Sequence, residues 1–238
     1  MGETQQTVSL SLFRFDKPSA RIWPFFQMAL ARRPLSRLRG LRFVKLCGTG
    51  SGEGFTPVPN TAVYTILCVW DSANIAHETV ATAPVFVNYR AHADASCTLF
   101  LQVASARGQW SHQAPFTPVV DLPDGPIAAL TRATVRPHAM LQFWKRAGPI
   151  SDVVGDNQDV VFKIGMGEVP WVQQVTFSIW PDTTTMAAFA RADGPHARAI
   201  KAVRDGKWFR EELYARFRIL DRLGDWPGLS TFPETAER

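Results

Sequence analysis

The sequence predicts an α+β fold in which two tandem ferredoxin-like halves close into an intrachain version of the dimeric α/β barrel. Three observations point there. Strand-type alternation and helix-type periodicity follow one another in the order β-α-β-β-α-β, and the order occurs twice. Short blocks also recur: Leu12-Phe13-Arg14 with Pro18 and Val44-Lys45-Leu46 return as Leu130-Thr131-Arg132 with Pro137 and Phe162-Lys163-Ile164. Arg14 and Arg132 stand as far apart as Lys45 and Lys163, and Trp70-Asp71 with Pro84 is echoed by Trp180-Pro181-Asp182 with Pro195. Finally, each half would carry helices on one face of its sheet only, leaving an apolar face for the other half to cover.

The elements follow from local chemistry. Residues 7–15 alternate Val8, Leu10 and Leu12 with polar positions, as a half-buried strand does. Pro18 and Ser19 open a helix with Ile22, Phe25, Phe26, Ala29 and Leu30 at helical spacing. Residues 41–46 return to strand. The Gly-, Ser-, Thr- and Pro-rich residues 48–60 read as a loop. A β-branched and aromatic strand at 62–70, a helix at 72–91 broken near Pro84 and a strand at 96–104 complete the first half. In the second half, strands are expected at 127–134, 160–164, 172–180 and 213–220, with helices at 138–146 and 183–203. The organisation is therefore an N-terminal half 1–104, a linker 105–125 punctuated by Gly108, Pro115, Pro118, Pro123 and Gly125, a C-terminal half 126–220, and an aperiodic tail 221–238 expected to lie on the surface or fray.

Composition bounds the class. The chain has 238 residues and 46% apolar content, typical of an ordered globular protein. Its apolar runs, such as 62–70, fall far short of the roughly 20 residues a membrane helix needs, and the N-terminus lacks a charged-then-apolar signal pattern. A cytoplasmic location is the expectation. Cys47, Cys68 and Cys97 have no metal-type spacing and read as small buried hydrophobes. The net charge of +5 is uneven. Arg32, Arg33, Arg37, Arg39, Arg42 and Lys45 crowd one stretch beside Trp23, Phe25 and Phe26. That stretch is a solvated face or a surface for an anionic membrane. No nucleic-acid motif accompanies it, so a nucleic-acid partner is not expected.

The copies differ where chemistry is concerned. After Pro84 comes Val85, whereas after Pro195 comes His196, at a helix restart set by Gly194-Pro195. Imidazole is a common metal ligand and the proximal ligand of many haems, while a helix-start histidine also bonds nearby backbone. Ala197 and Ala199 leave room beside it for a flat cofactor. Arg132 and Lys163 lie on otherwise apolar strands, where a long cation must snorkel, pair with a carboxylate or meet a bound anion. They are candidates for binding propionates or polarising a bound oxygen species, although Arg14 and Lys45 assign them half to the scaffold. Ser178 and Trp180 are expected to line the same cavity. A non-haem iron triad would need His77 or His138 to converge on His196. No H-E-x-x-H, Rossmann glycine or G-x-S-x-G element is present, which removes zinc hydrolases, dinucleotide enzymes and serine hydrolases.

Longer blocks carry a family resemblance. They are the stretches 8–15, 45–50, 54–61 and 125–134, then Phe162-Lys163-Ile164-Gly165, Gly167-Glu168-Val169-Pro170, the stretch 174–182, and Gly194-Pro195-His196-Ala197. Together the chain resembles the spheroidene monooxygenases, the acyclic carotenoid 2-ketolases of purple phototrophic bacteria. The resemblance implies an enzyme that hydroxylates C2 of a linear carotenoid twice, the geminal diol losing water to give the ketone. It further implies haem b, molecular oxygen and reduced ferredoxin. On that reading His196 is the iron ligand, Arg132, Lys163 and Ser178 are catalytic candidates, and Arg132 and Trp180 join His196 in holding the cofactor. The basic stretch would contact the inner membrane peripherally or recognise ferredoxin. Two other readings keep the fold: a haem enzyme acting on a small polar substrate, and a non-catalytic ligand-binding barrel.

Overall fold

A computed structural model describes residues 5–51, 56, 58–119, 124–145, 159–191 and 206–235. Eight strands form one closed antiparallel barrel in the order β1-β3-β2-β6-β7-β5-β8-β4. They are β1 (Thr7–Arg14), β2 (Leu41–Gly50), β3 (Pro59–Trp70), β4 (Ala95–Gly108), β5 (Ile127–Val135), β6 (Phe162–Gly167), β7 (Gln173–Trp180) and β8 (Phe209–Gly224). Each half contributes four strands in the same internal order, so the expected pair of ferredoxin-like sheets is present and shares one interior.

Alternation decides which side chains share that interior. Val8, Leu10 and Leu12 of β1, Leu67 and Val69 of β3, Ala128 and Leu130 of β5, Phe177 and Ile179 of β7 and Ala215 and Phe217 of β8 all enter one continuous core. The opposite face of the first sheet carries Phe13, Phe15, Leu46, Tyr64, Ile66 and Trp70 in a second core. Helices α1 (Ile22–Leu30), α2 (Arg32–Leu35), α3 (Ala73–Thr82) and α4 (Pro84–His92) follow the first half's strands. The Ser72 side chain caps α3 by accepting from the Ile75 amide, and Pro84 starts α4 where its missing N–H costs nothing. In the second half a 3-10 turn at Pro137–Ala139 leads into helical residues 140–145, and Asp182 caps the helix Thr183–Arg191 by accepting from Thr185.

The two halves meet along unequal seams. Between β2 and β6 only Gly48↔Gly167 and Thr49↔Met166 are paired. Between β4 and β8 the pairing runs from Cys97↔Gly224 to Gly108↔Leu213. The structure therefore extends two elements beyond their sequence-predicted limits. The glycine-dense loop narrows because β2 continues to Gly50 and pairs with Pro59, and β4 continues through residues 105–108, which composition assigned to a linker. Backbone pairing with β8 supplies the hydrogen bonds that a surface linker would take from water.

Gly108 makes that extension possible. Its φ is +95°, and a Cβ there would sit 2.2 Å from the Glu212 carbonyl oxygen. Gly108→Ala is expected to cost about 1–3 kcal/mol from backbone strain alone, with the backbone clash adding to it. A melting temperature unchanged from wild type, followed by circular dichroism, would rule out this close approach in solution.

The tail also differs from expectation. Beyond Gly224 it forms no further strand among the described residues, yet Trp226, Leu229 and Phe232 join the barrel core. Arg222 fastens the returning chain, its Nε donating to the Phe232 carbonyl at 3.0 Å.

Candidate functional site

Two regions of the second half carry the residues singled out above, and the sheet separates them. Arg132 shares its side of β5 with Ala128 and Leu130, so it points into the barrel. There it is 1% exposed, and its guanidinium is hydrogen-bonded to Glu211. Glu211 also accepts from the Ser111 and His112 amides at 3.0 and 2.7 Å. Close by, Lys45 Nζ lies 2.9 Å from Glu168 and 2.6 Å from Ser111 Oγ, and Trp110 Nε1 donates to the other Glu168 oxygen at 2.8 Å. Arg132 and Lys45 both approach the Trp110 ring, at 5.7 and 5.8 Å from its centroid. Two cations, two carboxylates and an indole thus gather at one end of the barrel as a charge-balanced, partly buried network. Burial alone would raise the Glu211 carboxyl, but the two amides and Arg132 outweigh it and hold the group below the ordinary glutamate range.

Lys163, Ser178 and Trp180 lie on the other side. Lys163 pairs with Ser178 in the β6–β7 register, and both alternate away from Ile164 and Phe177, which enter the barrel core. The Trp180 indole donates to Ser178 Oγ at 3.0 Å. Arg132 does not join this group, because its position on β5 has the opposite parity to Ala129 and Ala133. His196 lies outside the described residues.

Comparing the halves by their strand pairing exposes what is distinctive about this outer face. Trp70 pairs with Thr7 and Trp180 with Ile127, so the two tryptophans mark equivalent levels. On that register Phe13, Phe15, Tyr64 and Ile66 of the first half correspond to Ala133, Val135, Gln174 and Thr176 of the second. Through the β2–β3 and β6–β7 registers, Val44 and Leu46 correspond to Lys163 and Gly165. The aromatic and aliphatic layer beneath the first half's helices is thus replaced by small and polar side chains. Among the described residues this floor lies between two small apolar clusters. One is Ile127, Trp180 and Met186 with Phe189 against it; the other is Val135, Ala139 and Trp208 with Phe143 and Phe209. Gln174 Nε2 is buried there with no hydrogen-bond partner among the described residues.

His77 and the three cysteines are structural. His77 is bound to the Ala73 carbonyl and to Asp221 and stacks on Phe100 at 3.8 Å, which ties α3 to β8. His138 is exposed. Burial raises the thiols of Cys47 and Cys68 and pushes Cys97 up to about 12, so these buried cysteines stay protonated and unreactive. The described residues hold no helix long and apolar enough to cross a membrane.

Sequence reasoning missed Glu168, Glu211 and Trp110. The available signal was parity: Glu211 continues the inward series Leu213, Ala215 and Phe217. It also missed the small-residue floor, which becomes visible only when the two halves are superposed by strand register.

This architecture defines a class: a dimeric α+β barrel fused into one chain, in which one sheet is backed by a filled layer and the other by a polar, small-residue face. The same fold occurs in two solved aldoxime dehydratases, one determined with butyraldoxime. They align with TM-scores of 0.65 and 0.60 over 96% and 100% of this chain and 85% and 90% of theirs, at 9% identity. No protein-family profile matches the chain. Relatives are nonetheless close. The spheroidene monooxygenase of Rhodobacter capsulatus is 51% identical over 92% of both chains. That of Cereibacter sphaeroides is 51% identical over 94% of this chain and 69% of its own, and that of Rubrivivax gelatinosus 34% identical over 89% and 81%. The chain belongs to the spheroidene monooxygenase family.

Proposed function

We propose that this protein is a haem-dependent monooxygenase that oxidises C2 of an acyclic carotenoid of the spheroidene type to a ketone, using molecular oxygen and reduced ferredoxin. The observation that carries the substrate class is the 51% identity, over nearly the whole chain, to proteins named for that reaction. The cofactor reading rests on the outer face of the second sheet. A floor of Ala129, Ala133, Gly165 and Ser178, walled by Trp180 and Phe189 on one side and Trp208 and Phe143 on the other, suits a flat aromatic group. Lys163 and the orphaned Gln174 amide on the same face suit a group with anionic edges.

In this reading His196 would supply the imidazole that holds the iron, Lys163 and Gln174 would hold the propionates, and the Ser178 hydroxyl, which accepts from the Trp180 indole, would be a hydrogen-bond donor on the same face. Haem supplies oxygen activation when bound. The protein positions the substrate's end and excludes water from it. Arg132 has no part on this face, since its charge is committed to Glu211 inside the barrel.

The test is spectroscopic first. Purified protein is expected to show a Soret band that His196→Ala removes or shifts, and normal haem loading in that variant defeats the ligand assignment. Expression in a spheroidene-accumulating host is then expected to convert the pigment to its 2-keto form. Unchanged pigment with haem-loaded protein would defeat the substrate assignment alone.

A further inference from the structure

The exposed face of α1 and the arginines that follow it play no part in the reading above. Ile22, Phe25, Phe26 and Leu30 are 61%, 64%, 58% and 64% exposed, an unusual display for large apolar side chains on one short helix. The spacing places them along one stripe. The helix is not loose: Pro24 is buried, Trp23 packs edge-on against Tyr89 with rings 5.0 Å apart, and Ala31 and Leu35 are buried in the core beneath. The stripe is therefore presented outward on a fixed support.

Charge surrounds it on one side only. Arg32, Arg33, Arg37, Arg39 and Arg42 are exposed, and residues 17–51 contain no acidic residue. Among the described residues Arg42 alone of the five has a carboxylate partner, Asp71. An exposed row of apolar side chains edged by cations matches an anionic lipid surface, whose acyl boundary accepts the apolar row while its headgroups meet the guanidinium groups. A second copy fits poorly, because a twofold contact through this face would set arginine clusters near one another.

We propose that α1 and the arginines at positions 32–42 form a membrane-docking face that inserts Phe25, Phe26 and their neighbours into the interfacial layer of an anionic bilayer. The face backs the first sheet, on the opposite side of the barrel from the small-residue floor. It therefore acts as a tether, separate from the cofactor face, and the proposal stands or falls independently of the haem reading.

Sedimentation of the purified full chain with phosphatidylglycerol-containing vesicles and with pure phosphatidylcholine vesicles tests it. Binding is expected to be at least tenfold stronger to the anionic vesicles and to weaken with added salt. The variants F25S/F26S and R32Q/R33Q/R37Q are each expected to lower that binding by tenfold or more, with melting temperature and haem absorption unchanged. Equal binding of wild type and variants, or no preference for anionic vesicles, overturns the proposal. A wild-type dimer that F25S/F26S converts to monomer by size-exclusion chromatography would assign the face to a second copy and overturn it as well. So would loss of binding to an acidic protein donor with vesicle binding intact.

Discussion

Glu211→Ala is expected to destabilise the barrel by about 3–5 kcal/mol, seen as a lower denaturant midpoint with an unchanged slope. The cause lies with Arg132, which is 1% exposed and keeps its charge whether or not a carboxylate is present. Losing Glu211 strands that cation and also removes the acceptor for the Ser111 and His112 amides. The loop that seats Trp110 across the barrel end loosens with it. Apolar replacement of both partners, R132M/E211M, is expected to recover most of the loss, since burying no charge avoids desolvating two. The pair also has an acid signature. Glu211 is held below the ordinary glutamate range, so its contribution is complete above about pH 4.3 and disappears as pH falls through the lower folded value. E211Q is expected to flatten the fall in stability across that acid window. A midpoint for E211A within error of wild type would falsify the network's structural role.

The order of elements and closure of the barrel were legible in the sequence because each rests on a strong local signal. Alternation in Val8-Leu10-Leu12 and the β-branched run at 62–70 leave little freedom for any other assignment. The exposed apolar face of a lone ferredoxin-like sheet then demands a second sheet. Register was not legible, and the site depended on it. The recurring triplets suggested that Arg132 repeats Arg14 and Lys163 repeats Lys45. Strand pairing instead sets Arg132 at the level of Leu12, since Leu12 pairs with Thr65 and Arg132 with Val175. Lys45 points into the barrel beside Glu168, whereas Lys163 lies on the outer face beside Ser178. A one-residue offset in a strand reverses its faces, so a sequence repeat correct to within one residue can still place a cation in the wrong chamber. The acidic partners were overlooked for a different reason. Glu168 comes from the β6–β7 connection, outside any periodic run, and Glu211 precedes the strand start that apolar pattern places at Leu213, so its inward parity shows only once the strand is extended backward.

Deleting residues 225–238 is expected to leave a chain that does not fold cooperatively. Composition marks this tail as expendable, with Gly224, Pro227, Gly228 and Pro233 and no periodicity. Its contacts indicate the reverse. Trp226, Leu229 and Phe232 lie in the barrel core beside the first half's and the second half's inward side chains, so the tail closes the end of the barrel at which β1 finishes and β8 ends. The Arg14 guanidinium lies 6.0 Å from the Trp226 ring centroid. The chain is fastened by hydrogen bonds from the Arg222 amide to Pro233, from the Thr235 amide to Arg222, and from Thr235 Oγ1 to Asp221. Burial of each large apolar side chain contributes about 1.5–3 kcal/mol, so three of them approach the whole net stability of an ordinary domain, about 5–15 kcal/mol. Removal would also open the core to water exactly where β4 and β8 begin the long seam, at Cys97↔Gly224. W226A and F232A in the full chain, each expected to cost about 3–5 kcal/mol, distinguish lost packing from a general effect of shortening. A soluble 1–224 fragment melting cooperatively within a few degrees of the full chain would show that the barrel closes without its plug, and that the tail is decoration after all.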